Sequence, residues 1–325
     1  MSARRLIFYL LSMLVGYLTA SSSASPKLSL RTIRLPGRSR GKNEDSNSKP
    51  ADKPLGSSTQ TVPQSALELL PGRVLFDSSR TGESAIYSMN ADGSDLQRLS
   101  SSKLVEMYPV SSPSGDSIAF ARSATNDRRA RSDIFIMPAR GGTAELLVEN
   151  GTFPTFDSSG EHIYFERDRQ KVMRLSLATK QIEEIFPANV REFQNFEIAK
   201  PRLSGDGRFL YFISDRRGRW NVWGVEVSTS RVFWVGSGCE PTTSFNGEQV
   251  FWIKKKSFFV RTSIATKNIT TDETYWLDDV GPERGFKYFP TLAKNDSVLL
   301  FCSGDGKEST HTGARYQLFA KDLIS

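Results

Sequence analysis

A proline, a glycine six residues on and an aromatic residue five further recur through this chain at a period of about 40 to 50 residues. The frame reads Pro109, Gly115, Phe120; Pro154, Gly160, Phe165; Pro201, Gly207, Phe212; Pro241, Gly247, Trp252; and Pro290, Asp296, Phe301. An earlier, incomplete copy keeps only Phe76. A repeat of this length marks one supersecondary unit stacked or arrayed several times, which rules out most folds at once.

Each part of the frame has a physical reason. The glycine closes a tight turn, as in Ser204-Gly205-Asp206-Gly207, where positive φ is cheap without a Cβ; Asn295-Asp296 replaces it with types that tolerate left-handed geometry. After the turn, apolar residues alternate: Val74 with Phe76, Ile118 with Phe120, Ile163 with Phe165, Leu210 with Phe212, Val250 with Trp252 and Leu299 with Phe301. Spacing of two puts each pair on one face of a strand. A third strand follows in most copies, as residues 86–89, 134–137 and 172–175, and a weaker fourth, as 96–99 or 232–235. Proline in the first strand cannot donate to a ladder, so that strand is expected at an edge, as the innermost strand around a central channel is. Four short antiparallel strands, six times over, predict an all-β, six-bladed β-propeller. A β-sandwich would space its strands without a repeating unit of this length.

The units Ile86 to Asp95 (IYSMNADGSD), Pro109 to Phe120 and Ser214 to Trp223 (SDRRGRWNVW) resemble the TolB-like, WD-repeat-related propeller family. Its units read approximately Pro-x-Trp-Ser-Pro-Asp-Gly, Ile-x-Phe, then Ile-Tyr-x-Met-Asn-x-Asp-Gly. The resemblance covers about residues 72–325 and implies a fold; such propellers host many functions. TolB proper carries a folded α/β domain before its propeller, for which this chain leaves no room.

The chain opens with Arg4 and Arg5, an apolar stretch from Leu6 to Leu18 and small residues ending Ser22-Ser23-Ala24. This pattern predicts a signal peptide over 1–24, cleaved after Ala24, and a periplasmic or secreted protein without stable membrane insertion thereafter; the alternative is an uncleaved anchor. Residues 25–57 are polar and basic, too poor in apolar side chains to repay ordering, and read as a disordered linker; the propeller then occupies 58–325. The last repeat stops after its third strand. Residues near 58–63 are therefore expected to complete the last blade while 66–70 start the first, removing an exposed seam.

Charge sharpens the picture once divided. Arg4 and Arg5 place +2 on the leader and residues 25–57 carry +5, which accounts for the whole net charge of +7 and leaves the propeller neutral. No nucleic-acid partner is expected, since such a domain carries its excess on the folded face. Within the propeller, however, the loops joining second to third strands emerge on one face. They hold sixteen basic against eight acidic residues. Arg80, Arg128, Arg169, Arg216, Arg217, Arg219, Lys254, Lys255 and Lys256, with Trp220 among the arginines, are the candidate partner-binding residues. A rim of one sign steers ligands of the other.

Catalytic constellations are sparse. His162 and His311 are the only histidines, and no Gly-x-Ser-x-Gly elbow or phosphate loop occurs. The run Asn90 to Asp95 suggests a calcium loop but lacks its closing glutamate, so a hairpin turn is expected. Cys239 and Cys302 fall on different blades and read as two buried thiols, with a disulfide between them as the alternative in an oxidising compartment. No catalytic residue, metal or cofactor is assigned. The resulting expectation is a monomeric, non-catalytic binding module presenting its loop face to an acidic protein or glycan. The alternatives are a hydrolase or lyase working with channel carboxylates, and an envelope scaffold. An enzyme should bring two acids with raised pKa values together in the channel; a binding module should show an open channel ringed by polar or aromatic residues.

Overall fold

A computed structural model describes residues 10–14, 72–125, 127, 129–254, 262–277, 286–293, 296–304 and 316–323. It shows a six-bladed β-propeller. The first blade contains β1 (Leu10–Leu14), β2 (Arg73–Ser78), β3 (Ala85–Asn90) and β4 (Gln97–Arg98). The second contains β5 (Val105–Ser111), β6 (Ser117–Ser123), β7 (Ser132–Pro138) and β8 (Glu145–Val148). The third contains β9 (Thr152–Phe156), β10 (His162–Arg167), β11 (Lys171–Ser176) and β12 (Ile182–Phe186). The fourth contains β13 (Ile198–Leu203), β14 (Phe209–Ser214), β15 (Asn221–Glu226) and β16 (Arg231–Ser237). The fifth contains β17 (Cys239–Thr243), β18 (Gln249–Lys254), β19 (Ser263–Asn268) and β20 (Thr274–Trp276). The sixth contains β21 (Phe286–Leu292), β22 (Val298–Gly304) and β23 (Tyr316–Asp322), three strands among the described residues. Every blade pairs in sequence order, and every pairing is antiparallel.

The frame positions do what their chemistry requires. Gly115, Gly160, Gly207 and Gly247 all have φ between 73° and 80°, and Asp296 adopts φ 56° in the same place. Phe76, Phe120, Phe165, Phe212, Trp252 and Phe301 are all buried, none more than 2% exposed. They face the neighbouring blade: Phe120 packs with Leu75 and Ile86 of the first blade, and Phe212 with Tyr164, Val172 and Phe186 of the third. The ring closes through a core in which Val74, Phe76 and Tyr87 of the first blade meet Ala293, Val298 and Leu300 of the sixth.

The proline strand holds a feature beyond the edge placement. In blades two to six the residue before the proline has positive φ: Tyr108, Phe153, Lys200, Glu240 and Phe289, all between 50° and 57°. That residue and the proline together oppose a single residue of the second strand, the frame aromatic, so the ladder bulges there. The bulge takes the donor-less proline out of register, which is how a proline fits beside a paired strand.

Two expectations change. The innermost place of the first blade, assigned to residues 66–70, is taken by Leu10–Leu14, whose run from the leader stretch pairs with β2 from Leu10↔Asp77 to Leu14↔Arg73. Residues 58–63 and 66–70 lie outside the described residues. Cys239 and Cys302 form no bridge, but only Cys302 is buried; Cys239 is half-buried because it opens its blade at the edge. Asn90 to Asp95 is the β3–β4 turn, where Asp92 accepts from Ser94 and Asp95 pairs with Arg73 at 2.5 Å.

Candidate functional site

The bulges converge on the propeller axis. Lys200 Nζ lies 2.5 Å from Glu240 Oε1, and 5.7 and 5.5 Å from the ring centres of Phe153 and Phe289. Tyr108 stacks on Phe153 with ring centres 3.9 Å apart. Side chains from five blades thus meet across the axis. At the level of the bulges these side chains form a plug, because positive φ there turns long side chains inward.

The same bulges tie blades together. The N–H of Tyr108 donates to Asp77 at 3.2 Å, that of Lys200 to Glu166 at 3.0 Å and that of Phe289 to Glu240 at 2.6 Å. The three acceptors sit on blades one, three and five, so the bonds join one to two, three to four and five to six. Burial raises the Asp77 pKa well above the carboxylate range, against the N–H bond from Tyr108. Burial likewise pushes Glu166 up to about 7, against the Lys200 N–H and the charges of Arg169 and Lys200. Raised carboxylates in a channel are what catalysis would use. Here each serves a different interblade bond, and no hydrogen bond joins them. A further acid, Glu106, is buried in an ion pair with Arg122 at 2.8 Å and accepts from Ser100. None of these acids was singled out in the sequence, although each bulge residue is marked by the proline that follows it.

The basic loop residues divide into three groups. Arg80 stacks over Phe76 and Tyr87, 5.1 and 5.2 Å from their ring centres. Arg217 lies over Trp223 and Trp234, and Lys254 over Trp276. These cations lie over aromatics of their own blades, a contact of about 0.5–1 kcal/mol at exposed sites. The second group gathers at the boundary of blades three and four. Arg169 lies 5.7 Å from the Trp220 ring and 2.6 Å from Glu197, with its Nε buried and without a hydrogen-bond partner among the described residues. Arg216 stacks on Phe193 of the short 3-10 turn Arg191–Phe193 and donates to the Glu192 carbonyl at 3.0 Å. Arg219 is exposed on the same loop. Arg128, Lys255 and Lys256 form the third group, outside the described residues. Among the described residues no cluster of three or more histidine, cysteine or acidic side chains could hold a metal.

Comparison with known proteins places the architecture. No protein-family model matches the chain. An uncharacterised protein of Agrobacterium fabrum (strain C58), Atu1656, is 30% identical over 104 residues, 29% of this chain and 36% of that protein. TolB from Acinetobacter baumannii superposes with TM-score 0.58 at 18% identity, covering 77% of this chain and 64% of TolB. A putative TolB from Agrobacterium tumefaciens gives 0.52 at 17% identity, with 63% and 76% covered. The chain thus spans less than two thirds of Atu1656 and of the A. baumannii protein. The fold is that of the TolB-like six-bladed propellers, and at these identities the likeness extends to the fold alone. No helix among the described residues is long and apolar enough to cross a membrane.

Proposed function

We propose that this chain is a non-catalytic interaction module, exported by its leader to the periplasm or the exterior, whose loop face receives an acidic protein segment or a polyanionic glycan. One observation carries this reading: residues from separate repeats, Arg169 of the third and Arg216 and Trp220 of the fourth, gather at a single blade boundary, with Arg219 exposed on the same loop. Arginine and tryptophan are the types enriched where binding energy concentrates. The hydrolase or lyase reading has less support, since Asp77, Glu166 and Glu240 are each engaged in holding a neighbouring blade.

The test is a salt titration of the full chain against poly-L-glutamate and against heparin. Changing Arg169, Arg216, Arg217 and Arg219 to glutamine should weaken binding by about tenfold or more and flatten its salt dependence. Unchanged affinity at low salt, with the fold intact by circular dichroism, would move the site off this face.

A further inference from the structure

Past the plug, on the side away from the basic loops, the innermost strand of the fourth blade carries Arg202. Its side chain keeps some solvent contact although protein surrounds it. Among the described residues it makes no hydrogen bond and no ion pair. Glu240 is the charge that acts on it, yet both oxygens of that carboxylate are already taken, one by Lys200 Nζ at 2.5 Å and the other by the Phe289 N–H at 2.6 Å. Lys200 and Arg202 therefore share Glu240, while Lys200 also acts on Glu166. An enclosed cation without a partner is costly.

The fold does not ask for an arginine here. The residue after the frame proline is Val110 in the second blade and threonine in the third, fifth and sixth, as Thr155, Thr242 and Thr291. Thr155 and Thr242 stand at the same register on the two strands flanking Arg202. Both are largely buried, but neither hydroxyl has a hydrogen-bond partner among the described residues and neither is fully sealed from solvent. The acids in nearby turns are engaged elsewhere: Asp157 with His162, Asp206 with Arg208, and Asp296 with the Phe245 N–H. A guanidinium fork flanked by two hydroxyls is a donor set for an oxyanion.

We propose that the half of the axial channel facing the Ser-Gly-Asp-Gly-type turns is a binding site for a small oxyanion, a carboxylate or a phosphate, held by Arg202 with Thr155 and Thr242. This site is separate from the basic loop face and stands or falls without it. The probes are succinate and inorganic phosphate, added to the full chain at ionic strength matched with sodium chloride, with the melting temperature as readout. A ligand that binds only the folded chain raises it, and whichever probe raises it more identifies the anion class. Arg202→Met should melt no lower than the parent without anion, because it removes an unpaired enclosed cation, and should show no response to either probe. Thr242→Val, which leaves the guanidinium in place, should weaken the response several-fold. A variant with Arg216, Arg217 and Arg219 changed to glutamine should respond like the parent. Should Arg202→Met fail to fold, the Arg202 Nε–Hε resonance of the parent must still shift with the anion and not with chloride. No rise for either probe, or an equal rise in parent and Arg202→Met, overturns the proposal.

Discussion

At the scale of single residues, the frame aromatics and the buried acids oppose one another in what they ask of the chain. Phe212 is fully buried and in ring contact with Phe186 and Phe193 at 4.5 and 5.8 Å, so it stabilises through area and shape. Phe212→Ala should cost about 3–5 kcal/mol in urea denaturation; a loss below about 1 kcal/mol would undo the alignment of repeats. Glu166 behaves differently, because its native pKa near 7 lies above the ordinary value of 4.5. The folded chain then binds a proton more tightly than the unfolded chain. The stability from this group is present in full below pH 4.5 and is lost as pH rises through 7. Between pH 5 and 8 the parent should lose about 2–3 kcal/mol more than Glu166→Gln, while the glutamine carbonyl still accepts from Lys200. Equal slopes in the two chains would show that the carboxyl titrates normally.

At the scale of strands, much was legible and the limits have a physical cause. The period, the turn glycines and the alternating apolar pairs predicted the meanders, since those signals are local. The positive φ at Asp296 was readable from residue type alone. The bulges were not read, although five prolines announced them, because a bulge shows only when two strands are set side by side and counted. The plug and the carboxylate bonds come from side chains that meet between repeats, and no spacing within a repeat reports them. The ring contacts of Arg80, Arg217 and Lys254 within their own blades were not legible either, since strand pairing brings those aromatics beneath them. The plug itself makes a prediction. Lys200 and Glu240 are both largely enclosed, so Lys200→Met or Glu240→Gln alone should each cost about 3–5 kcal/mol by stranding the other charge. The double variant should lose less than the sum by at least about 1 kcal/mol; strict additivity would mean the pair contributes nothing as a pair.

At the scale of the whole molecule, the first blade is where the amino-terminal segment and the propeller meet. Leu10–Leu14 fills its innermost place, and the export proposed above would remove that segment; on that proposal residues 66–70 are the replacement to test. Chains beginning at residue 25 and at residue 51 should therefore melt together, and a chain beginning at residue 72 well below them; three coincident melts would remove any role for 66–70. The closing core carries a consequence for time as well as for stability. Each blade is a meander of neighbours in sequence and can form early. The contact of Val74, Phe76 and Tyr87 with Val298 and Leu300 brings together positions more than two hundred residues apart, and it cannot form until the blades between them have ordered. Joining the ends is then expected to come last in folding and to be undone first. Leu300→Ala should speed unfolding while scarcely slowing refolding, whereas Leu210→Ala, between blades three and four, should slow refolding; the lifetime of the native ring is set at its seam.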